Sequence, residues 1–200
     1  YIENINKAFS TFEIAALGGK ITPLYESGIP PVWMTKYLLP LVAALDMGPN
    51  KKYFRKENYP LGANMAFRKN VFRDLGLFNI ELGRRGSKGL EGGDEKDIFL
   101  KLHKSGAKIL YDPNINVTHF IPESRLQLTY IKGLAVGVGS SERKRLKNSG
   151  FYQKTNKILS ELIKIAGTAI LFFSFLFKRK VAAAKMLVAF RFWVITGYFK

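Results

Sequence analysis

Two hundred residues, 47% hydrophobic and 24% charged, suffice for a domain with a sizeable core and exclude a chain that is disordered throughout. The absence of cysteine excludes disulfides and thiolate metal sites. Thirty-two Lys and Arg against fifteen Asp and Glu leave a net charge of +17, which calls for an anionic partner: phosphorylated substrates, anionic lipid head groups or nucleic acid.

The basic excess is uneven. From Arg143 onward Glu161 is the sole acidic residue, and the same stretch is apolar. Charge and apolarity rising together point to a membrane surface. The chain has no aromatic-basic strand signature of the common RNA-binding modules, so nucleic acid is not expected as a partner. The N-terminus, Tyr-Ile-Glu-Asn, has no basic n-region or signal pattern and reads as a start within a domain.

In chain order, residues 3–17 read as a helix closed by Gly18-Gly19. A short strand over 21–25 follows, then a loop marked by Pro23, Gly28, Pro30 and Pro31. Trp33 opens an apolar stretch to Leu45 and is either core or ligand-facing. Residues 46–59 are polar, with a turn at Gly48-Pro49-Asn50. Residues 61–67 suit a buried strand, and Asn70 caps a short helix over 71–75 that ends at Gly76. Gly83, Gly86, Gly89, Gly92 and Gly93, with Arg84, Arg85 and Lys88 between them, form a basic glycine-rich loop, either a mobile lid or a phosphate-contacting segment.

Residues 94–105 read as an amphipathic helix with Ile98, Phe99 and Leu102 on one face. Asp94, Glu95 and Asp97 crowd its N-terminus, where carboxylates compensate the helix dipole. Residues 108–111 and 115–120 read as two strands about a turn at Asp112-Pro113-Asn114. Helix, strand, turn and strand together indicate an α/β class. A helix over 122–138, weakened by its glycines, leads to a polar basic linker. Two apolar runs, 158–177 and 181–199, close the chain. The uninterrupted part of the first, 165–177, has the length of an interfacial or re-entrant segment rather than of a spanning helix. Trp193, Tyr198 and several Phe beside Lys and Arg fit a membrane interface.

Five short motifs, in order, carry a resemblance. Gly18-Gly19-Lys20-Ile21-Thr22-Pro23 with Pro31-Val32-Trp33 comes first, then Gly62-Ala63-Asn64 and Leu75-Gly76-Leu77-Phe78. Gly93-Asp94-Glu95-Lys96-Asp97-Ile98 follows, and Gly106 through Pro113 leads to Val117-Thr118-His119. This series resembles the C-terminal part of family-2 glycosyltransferases, inverting enzymes of the GT-A, Rossmann-like fold. The acidic pair is inverted relative to the family's usual Glu-Asp. No Asp-x-Asp occurs in the chain, and the family's nucleotide-binding half, which carries that motif, is expected upstream.

The resemblance implies a partial GT-A domain over 1–140, a basic linker over 141–156, and a membrane-associated helical hairpin over 157–200 that is amphipathic or spanning. It implies transfer of a sugar, with inversion, from a nucleotide-sugar to a glycan or lipid-linked acceptor in cell-surface polysaccharide or glycolipid synthesis, at the cytoplasmic face of the membrane. Glu95 is the first choice for general base and Asp94 the second; Asp97 supports the site or caps the helix. Gly62, Asn64, Gly93 and Trp33 are candidates for the substrate site. Arg84, Arg85 and Lys88 are candidates for diphosphate or an anionic acceptor. A divalent metal, Mg or Mn, is implied chiefly through the upstream Asp-x-Asp, with His119 a further metal ligand. The isolated chain is then expected to be inactive. The competing reading is a non-catalytic basic amphipathic membrane-binding module.

Overall fold

The computed structural model describes residues 1–56, 58–83, 90, 92–147 and 149–200. They fall into two compact units. The first comprises Tyr1–Gly28, Leu39–Glu81 and Asp94–Pro122; the second comprises Ile29–Leu38, Leu82–Gly93 and Glu123–Lys200. The α/β class expected from the sequence is the class observed.

The first unit contains helix α1 (Ile2–Thr11), strands β1 (Ala16–Tyr25), β2 (Lys52–Tyr53) and β3 (Met65–Phe67), helices α2 (Lys69–Leu75) and α3 (Asp94–Lys104), and strand β4 (Ile109–Ile121). Among the described residues the four strands form one mixed sheet in the order β2-β4-β1-β3. Its centre is the parallel pair β1 and β4; β3 and β2 pair antiparallel at the edges. Side chains alternate across the sheet as the strand period requires. Ala16, Ile109 and Tyr111 pack with Ile98, Phe99 and Leu102 of α3 and Val71 of α2. Leu17, Leu110 and Ile115 pack on the other face with Ala8 of α1. The face of Ile98, Phe99 and Leu102 expected from helical spacing is therefore the buried face of α3, and Phe99 also stacks on Phe67 at 5.1 Å.

Four local expectations are corrected. The first helix ends at Thr11, and Gly18-Gly19 lies inside β1 instead of capping a helix. The reason is close approach: a Cβ on Gly18 would sit 2.5 Å from Cβ of Pro60, and one on Gly19 would sit 1.6 Å from the carbonyl oxygen of Ile115. The two strands expected about Asp112-Pro113-Asn114 are one strand, β4. Its pairing jumps from Gly19–Asp112 to Lys20–Asn116, so residues 113–115 bulge out of the ladder where a turn was expected. Residues 62–64 are a 3-10 turn, and only Met65–Phe67 are strand. Helix α2 starts at Lys69, which puts Asn70 inside its first turn and Arg68 at the cap position.

The second unit contains α4 (Leu128–Leu146), α5 (Phe151–Phe177) and α6 (Val181–Phe199). The segment expected as a linker, 141–156, is largely helical, shared between the end of α4 and the start of α5. The glycines expected to weaken α4 have a packing role instead. A Cβ on Gly139 would lie 2.0 Å from the carbonyl oxygen of Val194, and one on Gly197 would lie 2.0 Å from that of Val136. Paired glycines let α4 and α6 approach backbone to backbone. Both α5 and α6 are long and apolar enough to cross a membrane. At 27 residues α5 extends well past its uninterrupted apolar run, and among its residues, all described, none is buried.

Candidate functional site

Two motifs 33 residues apart meet in the first unit, where the backbone N–H of Gly62 donates to Oε2 of Glu95 at 2.9 Å. Glu95 stands in the first turn of α3, and Gly62 opens the 3-10 turn that leads into β3. Gly62 leaves room for the carboxylate where it stands: a Cβ there would fall 2.0 Å from Oε1 and 2.8 Å from Cδ of Glu95. The Gly-Ala-Asn turn thus acts as a seat for the carboxylate. The flanking acids are placed differently. Asp94 is the first residue of α3, and Asp97 pairs with Lys101 at 2.9 Å, one turn along the same helix. Both also lie where the helix dipole favours negative charge.

Asn64, expected in the substrate site, is hydrogen-bonded within the fold. It is 1% exposed. Its Nδ2 donates to the carbonyl oxygens of Lys20 and Ile115 at 2.9 and 2.8 Å, and its Oδ1 accepts from the Tyr1 hydroxyl at 2.9 Å. Both amide donors are spent across the β4 bulge, where the ladder bonds between β1 and β4 are interrupted. Asn64 therefore fixes the turn that presents Gly62.

Gly93 belongs to the second unit, where it is buried; a Cβ on it would fall 2.9 Å from Cβ of Ser141, and its N–H donates to the carbonyl of Leu82 at 2.9 Å. Trp33 also belongs to the second unit and is half-buried. Arg84, Arg85 and Lys88, like Gly86 and Gly89 of the same glycine-rich stretch, lie outside the described residues. His119 is half-buried on β4, in register with Pro23 of β1. Among the described residues no group of three or more His, Asp or Glu could hold a metal ion. Among the described residues His119 offers one imidazole outside any such group.

One polar constellation joins motif residues, Lys20 and Asp112, to Asp46 and Lys51, which lie outside the motifs. Lys20 of β1 pairs with Asp46 at 2.8 Å, and Asp46 also accepts the Gly48 N–H at 2.8 Å. The Lys20 hydrogen bond, then the Gly48 N–H, hold the Asp46 carboxyl below the usual carboxylate range, while Asp46 raises the Lys20 ammonium. Burial pushes the nearby Tyr111 phenol up. Lys20 and Asp46 border an open cleft of about 620 Å³ also lined by Pro113 and Asn114 of the β4 bulge and by Asn116 just past it. Beside it Lys51 pairs with the buried Asp112 at 2.9 Å. Ion pairs between a strand and a distant loop carry no spacing signal, so the sequence alone does not mark them.

No family model matches the chain, and no solved structure matches it. A stretch of 131 residues, 66% of the chain, is 21% identical to the glucosyl-dolichyl phosphate glucuronosyltransferase of Haloferax volcanii. The likeness is to a glycosyltransferase and supports that class at a coarse level. The match takes in 41% of the relative's length, so the chain spans less than half of the curated relative it matches.

Proposed function

We propose that this chain forms part of a family-2, inverting glycosyltransferase and carries its general base, Glu95. The observation that supports the reading most is the Gly62 N–H seated on the Glu95 carboxylate, which joins two of the resembling motifs at a helix N-terminus. In the proposed step, Glu95 takes the proton of an acceptor hydroxyl as that oxygen attacks the anomeric carbon of a nucleotide-sugar. The bond to the nucleoside diphosphate breaks, and the leaving group departs with the electron pair. Asp94 is the second candidate for the base.

The acceptor class proposed is a glycan or lipid-linked sugar at the cytoplasmic face of a membrane, in cell-surface polysaccharide or glycolipid synthesis. Two considerations favour a membrane setting: α5 and α6 have the length and apolarity to enter a bilayer, and the relative's printed name includes a dolichyl phosphate. The reading carries a divalent-metal requirement, Mg or Mn, into the whole protein, with its ligands expected mainly outside the described residues.

The test is sugar transfer and nucleoside diphosphate release by the full native polypeptide with a panel of nucleotide-sugars. Loss of turnover in Glu95→Gln with nucleotide binding retained, and a smaller loss in Asp94→Asn, is the expected result. Turnover near wild type in both variants would reduce the acidic cluster to a helix cap. The non-catalytic membrane module, which rests on α5 and α6 alone, would then take its place.

A further inference from the structure

We infer that the second unit carries a binding site for a phosphate-headed membrane lipid at the end of the hairpin where α5 begins and α6 ends. Two adjoining cavities define it. The first is a slot of about 180 Å³ whose walls include Ile158, Leu162 and Ile165 of α5 and Val194 and Ile195 of α6. The second is an open mouth of about 550 Å³, lined by Arg143, Lys144, Lys147, Lys154 and Lys200, with no carboxylate among its described lining residues. Tyr198 and Phe199 wall both, so the apolar slot and the cationic mouth adjoin.

The slot is held open by a charge network. Glu142 of α4 accepts from Arg145 and from Lys157 of α5, each at 2.9 Å. Glu161 of α5 pairs with Lys157 at 2.8 Å, Lys164 at 2.7 Å and Arg191 of α6 at 3.2 Å. In these pairs four cations share two carboxylates, so the network ties three helices together and still leaves positive charge behind the mouth. Glu142 is 6% exposed, and removing one member of so desolvated a network would strand an unpaired charge. The helices that border the slot are therefore tied to one another by ion pairs.

The chemistry of the two cavities selects the occupant. Arg143, Lys147, Lys154 and Lys200, in a mouth lined by no described acid, select an anion with several acceptor oxygens, as a phosphate has. An apolar slot opening directly beside them selects a hydrocarbon chain attached to that anion. The placement agrees with a bilayer. At 1.5 Å per residue α6 is about 28 Å long, close to the hydrocarbon thickness of about 30 Å, which sets Lys200 and Lys154 at head-group depth if the hairpin inserts. Exposed basic residues at that depth attract anionic lipid, and the slot converts attraction into a seat. The inference depends on membrane association and not on the transfer reaction, so its failure leaves the Glu95 experiment standing.

The experiment is native mass spectrometry of the full native polypeptide in mild detergent, titrated with phosphatidic acid, with phosphatidylcholine, and with phosphatidic acid in the presence of inorganic phosphate. The triple variant Arg143→Gln, Lys147→Gln, Lys154→Gln alters exposed residues only, so its fold is retained. Each cation near a lipid surface contributes roughly a fivefold factor, so the triple variant is expected to weaken phosphatidic acid binding on the order of a hundredfold. The control, Lys178→Gln, Arg179→Gln, Lys180→Gln, removes equal charge at the opposite end of the hairpin and is expected to leave binding near wild type. Leu162→Trp fills the slot and is expected to weaken binding without changing helicity, and Ile158→Trp repeats the test from a second wall. Equal losses in the two triple variants would overturn the site in favour of diffuse attraction. Wild-type binding in both Trp variants, equal binding of phosphatidylcholine, or displacement by inorganic phosphate would each overturn the lipid assignment.

Discussion

Gly62→Ala is the sharpest test of how the turn and the helix cooperate. The added Cβ would start 2.0 Å from Oε1 of Glu95. Ordinary contact between heavy atoms begins at about 3.5 Å, so the carboxylate must retreat by about 1.5 Å. The atom that moves is the far end of a flexible side chain, so the fold gives way at little cost. Unfolding stability should change by less than about 1 kcal/mol, the scale of one partly exposed hydrogen bond. A base displaced by about 1 Å or more, in contrast, loses on the order of a hundredfold in rate. The assay is nucleoside diphosphate release by the full native polypeptide, with thermal unfolding in parallel. Glu95→Gln should absorb the effect: once the base is gone, Gly62→Ala should cost nothing further, because the two residues act as a unit. Wild-type turnover in Gly62→Ala, or losses that multiply in the double variant, would refute the reasoning.

Two further outcomes follow from the geometry. Gly19→Ala places a Cβ 1.6 Å from a backbone carbonyl and 2.6 Å from Nδ2 of Asn64, neither of which can swing aside. It should destabilise the first unit by about 3 kcal/mol, the upper end for overpacking, read as a lowered denaturation midpoint; an unchanged midpoint would contradict the close approach of β1 to the bulge. The Lys20–Asp46 pair stabilises the fold between the acid range and the alkaline range. Because the Asp46 carboxyl is held low in the folded chain, its contribution is present above the ordinary carboxylate pKa and is lost as pH falls through the lowered value. Because Lys20 is held high, the same pair is lost as pH rises through the raised value. Carboxyl resonances in an NMR titration should show Asp46 titrating low and moving back toward the ordinary range in Lys20→Met; a wild-type Asp46 already in that range would discount the pair.

Local pattern made much of this protein legible from its sequence. Ile98, Phe99 and Leu102 announced the buried face of α3 through helical spacing, and Asp94, Glu95 and Asp97 marked its N-terminus, because both signals lie within a few residues of chain. Composition marked the tail: beyond Glu142 the chain carries Glu161 as its sole acid, and basic and apolar residues together set 157–200 apart. The glycines misled. Gly18-Gly19 reads as a helix stop, and Gly139 as a weak point in α4, when each is small because another segment passes within reach of where its Cβ would be. Such a reason lies in the partner segment, at Ile115 for Gly19 and at Val194 for Gly139, far along the chain in both cases. Asn64 was legible as part of a motif but not as a clamp across a bulge, since the bulge exists only once β1 and β4 pair. The same holds for the seat of Glu95 and for the cavities among α4, α5 and α6. Periodicity and composition report what a segment buries, whereas steric approach, ion pairing and the shape of a site depend on which distant segments the fold brings together.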